Sequence, residues 1–195
     1  MKYLKIKDLE DKLYFNYNDV AQLLEIKEKS AKVFCSRYVK KGIFIRLKKD
    51  FYILKDRWQR NSIQDFYKIS NMLQVPSYIS LMTALSFYEV TTQVQRDYFE
   101  SVCIKRTERI EIEGVKFNFY KLKKEIYFDF IKERDFFIAS KEKAFIDAIY
   151  LYSFGKYAFD IDSIDIGKLD IKRIKSLIKK FPEKTKRLFE RICKI

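Results

Sequence analysis

The chain has 195 residues, 48% of them hydrophobic and 17% aromatic, with four glycines and two prolines. That composition argues against disorder over most of the length and suits one large domain or two small ones. Its 41 Lys/Arg against 27 Asp/Glu leave a net charge of +14, which points to a polyanionic partner (nucleic acid or an anionic membrane) or else to a merely lysine-rich composition.

The distribution of charge separates these readings. Residues 27–55 hold ten Lys/Arg against two acids, a net +8, and residues 168–195 hold eleven against three, also +8, so the rest of the chain carries −2. A uniform bias would not leave most of the chain near neutral. Histidine is absent, which removes the commonest general base and metal ligand. Cys35, Cys103 and Cys193 are an odd, widely spaced set, unlike a disulfide framework or a zinc site. Charges interrupt every apolar run of "MKYLKIKDLEDKLYF", so no signal peptide is expected, and no apolar run is long enough to span a membrane. These features lead to the expectation of a reducing, cytoplasmic setting.

In chain order, Leu4, Leu9 and Leu13 predict a short first helix. Asn16 and Asp19 then stand at capping-box spacing before a helix with Val20, Leu23 and Leu24 on one face, ending near Ile26. A third helix is predicted over residues 28–41, stopped by Gly42. At about 100° per residue, Ala31, Cys35 and Tyr38 share its inner face, edged by Phe34 and Val39. Lys29, Val33, Ser36 and Lys40 share the outer face, flanked by Arg37. "IFIRL" and "FYIL" follow as a hairpin joined by "KKD", with Arg46, Lys48 and Lys49 at or near its tip and Asp50 where glycine would relax the turn. Three helices and a basic hairpin form the plan of a winged helix-turn-helix. The third helix is expected in the DNA major groove, and the hairpin along the neighbouring phosphates. A winged helix serving only as a protein-binding module is the other reading of the same pattern.

Residues 56–61 read as a polar connection, and "SIQDFYKISNMLQ" as a helix with Ser62 as cap. After Pro76, residues 77–88 read as one helix whose small residues Ser80, Thr83, Ala84 and Ser86 permit close packing. "DYFESVCIK", "ERIEIEGVKFNFYKL" and "FFIAS" read as strands of a small, mainly antiparallel sheet, with Gly114 at a turn. Ser140 caps a further helix with Ala144, Phe145, Ala148, Ile149 and Tyr152 in its apolar stripe. Two basic amphipathic helices end the chain, residues 171–181 and 183–193, separated at Pro182. The expected class is therefore α+β: a winged helix-turn-helix over residues 1–56, then a mixed domain over 57–195 with C-terminal basic helices.

Three segments of this sequence together resemble one family. "RYVKKGIFIRLKKDFYIL" supplies Arg37, Val39, Lys40, Lys41, Gly42, Arg46, Leu47, Tyr52 and Leu54. "PSYISLMTALSFYEVTTQV" supplies Tyr78, Ile79, Ser80, Leu81, Ala84, Leu85 and Gln93. "FFIASKEKAFIDAIYL" supplies Ala139, Ser140, Glu142, Lys143, Ala144, Asp147, Tyr150 and Leu151. In this order they resemble the AbiE-type antitoxin and transcriptional-regulator family of bacterial type IV toxin–antitoxin systems. Tyr88 and Glu89 stand where that family usually has a helix-ending glycine, Lys141 where it has proline, and Asp50 where the hairpin has glycine. The resemblance implies a double-stranded-DNA-binding repressor of its own operon that takes part in abortive infection, a form of phage defence. It also implies a functional partner, a nucleotidyltransferase-like toxin that need not be touched directly.

Other constellations are weaker. Asp160, Asp162 and Asp165 in "DIDSIDIG" fail EF-hand spacing, because Ile164 takes the fifth position and no glycine follows at the sixth. Lys143 and Asp147 are four apart, as in a structural ion pair. With neither histidine nor a glycine-rich phosphate loop, no catalysis, cofactor or metal is expected. Lys172, Lys175, Lys179, Lys180, Lys186, Arg187 and Arg191 form a second basic patch. It extends a DNA surface, binds RNA or a partner protein, or is the solvated side of packed helices; a membrane role is disfavoured, since these helices lack a tryptophan anchor.

Overall fold

A computed structural model describes residues 6–93 and 95–193, which divide into two compact units, Met1–Phe66 and Tyr67–Ile195. The class is α+β, with eight α-helices and two sheets among the described residues.

In the first unit, Asn16 caps α1 (Tyr17–Leu24). Its side chain accepts from the amides of Asn18 and Asp19 at 2.7 and 3.2 Å, and Asp19 accepts from the Asn16 amide at 2.7 Å, closing the capping box. α2 (Glu28–Lys40) buries Ala31 and Cys35 completely, with Phe34, Tyr38 and Val39 half-buried beside them. Gly42, at φ +68, ends it: the Ile43 amide donates to the Tyr38 carbonyl at 3.0 Å and the Gly42 amide to that of Val39 at 2.9 Å. β1 (Phe15–Asn16), β2 (Phe44–Lys48) and β3 (Phe51–Leu54) form an antiparallel sheet in the order β1-β3-β2. The hairpin keeps Arg46 opposite Tyr52, then shifts register before Lys48, and Asp50 takes φ +62 at the tip. The rings of Phe15 and Phe44 meet edge to face at 4.9 Å, and Phe34 stacks on Tyr38 at 4.0 Å. Full burial of one such ring contributes about 1.5–3 kcal/mol, enough to fix α2 against the hairpin.

The predicted first helix falls partly on residues 1–5, which with Leu4 lie outside the described residues; what is described of it is helical backbone at Ile6 running into a 3₁₀ turn, Lys7–Leu9, with Leu13 beyond that turn. One expectation fails in this unit. The predicted polar connection after Leu54 is instead a short helix, α3 (Lys55–Gln59). Trp58 drives it: the indole is buried, edge-on to Phe66 at 5.2 Å, while Arg57 reaches Asn61 at 2.6 Å and Asp65 at 3.1 Å.

α4 (Ile63–Leu73) starts with Ser62 and Asp65 exchanging side-chain-to-amide bonds, at 3.2 and 3.1 Å. The predicted helix over 77–88 is two elements: β4 (Ser77–Ile79), a buried strand, then α5 (Leu81–Phe87). The strand lies between β5 (Tyr98–Cys103) and β9 (Phe136–Ala139), so both its edges are paired, and Tyr78 and Ile79 are fully buried. With β6 (Glu108–Ile112), β7 (Val115–Lys121) and β8 (Phe130–Glu133), the sheet runs β6-β7-β5-β4-β9-β8. Three of its five neighbour pairs are antiparallel, and β4 with β9 and β5 with β7 are parallel, so the sheet is mixed with antiparallel pairs in the majority.

α6 (Lys141–Ser153) is capped by Ser140, which accepts from the Lys143 amide at 3.2 Å. It is buried on every side from Glu142 to Leu151, so no single stripe describes it, and Tyr152, assigned to that stripe, emerges 40% exposed. Asp160 and Asp165 of "DIDSIDIG" cap 3₁₀ turns by accepting from the amides of Asp162 and Gly167, both at 3.1 Å. α7 (Ile171–Leu177), prolonged by a 3₁₀ turn at Ile178–Lys180, and α8 (Glu183–Cys193) follow, much as the sequence predicts. No helix among the described residues is long and apolar enough to cross a membrane.

Candidate nucleic-acid interface

The inner face of α2 is committed to the core, and this decides what its outer face presents. Lys29, Val33, Ser36, Arg37 and Lys40 are all exposed, and Val33 is 51% exposed. A 13-residue helix is about 20 Å long, longer than the roughly 12 Å width of a DNA major groove. Val33 and Ser36 put short side chains in the middle of the face, between the longer cations. Lys29, Arg37 and Lys40 have no ion-pair partner among the described residues, so their charge is uncompensated. Lys32, which the sequence reading passed over, lies on the same helix with its ammonium 4.2 Å from the Tyr17 ring centre.

The hairpin continues this surface within the same unit. Lys49 is exposed at the tip. Arg46 and Lys48 lean over rings of their own sheet, Tyr52 at 6.0 Å and Phe51 at 4.8 Å, and these cation–π contacts fix where the charges sit. Asp50 is the acid at the tip. Its left-handed backbone is a conformation that Asp tolerates better than most residues.

The motif residues of the second unit come together differently. Tyr78 from β4, Ser80 from the turn after it, and Lys143 and Asp147 from α6 form one sealed cluster. Ser80 and Tyr78 donate to Asp147 Oδ2 at 2.9 and 3.1 Å, Lys143 donates to Tyr78 Oη at 2.9 Å, and Lys143 Nζ pairs with Asp147 Oδ1. The rings of Phe128 and Phe181 flank the ammonium at 5.2 and 5.3 Å. Burial depresses the lysine and raises the aspartate, each resisted by the opposite charge of its partner. Every donor and acceptor faces a partner and none faces solvent, so the cluster locks β4 to α6. Glu142 is also buried: it accepts from the Asp170 amide at 3.2 Å and lies 3.9 Å from Arg173, tying α6 to the start of α7.

Burial pushes the Cys35 thiol up to about 11 and raises that of Cys103, away from thiolate chemistry. Glu100 on β5, unremarked in the sequence reading, is sealed, and burial pushes it up to about 7; it accepts from the Tyr157 hydroxyl at 2.9 Å and the Met82 amide at 3.1 Å. No group of three or more His, Cys, Asp or Glu among the described residues is placed to hold a metal ion.

The second basic patch spreads over α7 and α8. Lys172, Lys175, Lys179, Arg187 and Arg191 are exposed; Lys180 stands over the Phe128 ring at 4.3 Å, and Lys186 is half-buried, 3.5 Å from Glu183. Ile174, Ile178 and Leu188 on the opposite sides are buried, so these are amphipathic helices with a cationic exterior. Compared with protein-family models, curated proteins and solved structures, the chain matches none, and no family is assigned by comparison.

Proposed function

We propose that this protein is a DNA-binding transcriptional repressor whose first unit is a winged helix-turn-helix. One observation carries the reading. A helix whose inner face is sunk in the core holds unpaired cations around two small side chains, next to a hairpin with cations at its tip. The element order supports it: helical backbone ending in a 3₁₀ turn, then β1, α1, α2 and β2–β3, with β1 paired to β3, is the order a winged helix-turn-helix would need. α2 enters the major groove with Lys29, Val33, Ser36, Arg37 and Lys40, and Arg46, Lys48 and Lys49 meet phosphates.

The resemblance to AbiE-type antitoxins extends the proposal. The protein represses its own operon as the antitoxin of a type IV system and counters a nucleotidyltransferase-like toxin without catalysis of its own. What supports this beyond the motifs is that Tyr78 and Ser80 from one motif share a single buried cluster with Lys143 and Asp147 from another. Residues chosen by a common fold constraint behave so. A cytoplasmic location belongs to the same reading.

The test is the full-length double variant Arg37→Ala, Lys40→Ala, assayed on duplex DNA from upstream of its own gene. Operator preference is expected to vanish while the thermal melt stays unchanged. Retained preference would remove α2 from the interface.

A further inference from the structure

A groove of about 640 Å³ lies inside the second unit, where the end of α6 faces α8. Lys184, Arg187, Leu188 and Arg191, spaced three and four apart along one helical face, line it on α8. Tyr152 lines it on α6, and Glu183 also borders it. The two helices are pinned beside it: Ser153 Oγ and Thr185 Oγ1 are hydrogen-bonded at 3.2 Å, and Leu188 is buried. The groove therefore belongs to a packed framework. Its volume lies within the roughly 300–1,000 Å³ of small-molecule clefts.

Its chemistry is specific. Tyr152 and Phe154 are 40% and 42% exposed, two large rings within three residues on a surface where most aromatics are covered. The Lys184 ammonium stands 5.3 Å from the Phe154 ring centre. Arg191 has no ion-pair partner among the described residues, and the side chain of Arg187, 79% exposed, meets Glu183 at 3.8 Å. The Tyr152 ring beside the unpaired Arg191 and the largely exposed Arg187 is what a base joined to a phosphate requires: the ring takes the base by stacking and the cations take the phosphate. A duplex keeps its base faces hidden, and an acidic peptide would use the cations while leaving the rings bare.

We propose that this groove binds a nucleotide, free or as one unit of a single-stranded nucleic acid, with the base on Tyr152 and the phosphate between Arg187 and Arg191. The site is independent of the duplex surface on α2. The test therefore uses the full-length chain carrying Arg37→Ala and Lys40→Ala, with fluorescence anisotropy of a labelled oligouridylate about ten nucleotides long and unlabelled UMP as competitor. If three cations meet phosphates, log K falls against log salt with a slope of about −2. Tyr152→Leu, which keeps bulk but removes the π-face, and the pair Arg187→Ala, Arg191→Ala are each expected to weaken binding at least about tenfold. Displacement by UMP near equal concentration identifies a free nucleotide as the ligand, and displacement only at large excess identifies a strand. Absence of binding by both probes, or affinity unchanged in both groove variants, overturns the proposal. Loss of upstream-duplex preference in the α2 double variant bears on the repressor reading alone.

Discussion

Glu100 is sealed on β5, where burial raises its carboxyl from an ordinary 4.5 to about 7 against the hydrogen bonds that favour its charged form. In the unfolded chain the same carboxyl titrates near its ordinary value. Between those two values the folded chain keeps a proton that the unfolded chain has released. The stability this confers is fully present below about pH 4.5 and is lost as the pH rises through about 7. The gap corresponds to about 3 kcal/mol. Glu100→Gln isolates it, because the amide matches the protonated acid in shape and keeps an acceptor oxygen for the Met82 amide and the Tyr157 hydroxyl. Urea denaturation of both proteins from about pH 4.5 to about pH 8.5 measures the difference, in which other titrating groups cancel. The wild type is expected to lose about 3 kcal/mol relative to the variant across that window. A difference that stays flat, or that moves in favour of the wild type as pH rises, refutes the reasoning.

Lys143→Met leaves Asp147 buried without its counter-charge and is expected to cost about 3–5 kcal/mol in urea denaturation. Adding Asp147→Leu should restore much of that loss; single effects that simply add would show that the pair is not coupled. Asn16→Ala opens the capping box of α1 and should cost about 1 kcal/mol by the same measurement. A neutral result there would mean that solvent satisfies those amides equally well.

What was legible in the sequence was local chemistry at element ends and one-sided periodicity. Asn16 with Asp19, Gly42 after α2, Ser62 before α4 and Ser140 before α6 each mark a boundary that the backbone hydrogen bonds respect. The split of α2 into a buried Ala31–Cys35 side and an exposed Lys29–Val33–Ser36–Lys40 side follows from spacing alone. Periodicity fails where an element is covered on all sides. "SYISL" reads equally as helix or buried strand, and only pairing with β5 and β9, distant in sequence, makes it β4. α6 fails for the same reason, and with it Tyr152, whose exposure depends on where α8 packs. The Lys143–Asp147 spacing was plain, but nothing local announces that the pair is sealed beneath Phe128 and Phe181. Lys184, Arg187 and Arg191 share a helical face by count. Their role as a groove wall needs the end of α6 beside them.

The account rests on α2 and its hairpin reading duplex DNA. The most direct test is a binding titration of the full-length protein against its own upstream DNA and a scrambled duplex, over a series of salt concentrations. If about six cations meet phosphates, log K should fall against log salt with a slope of about −5, and the upstream duplex should bind about 10³-fold more tightly. Equal, salt-steep binding to both duplexes would contradict a repressor, leaving α2 and its hairpin as a generic polyanion surface.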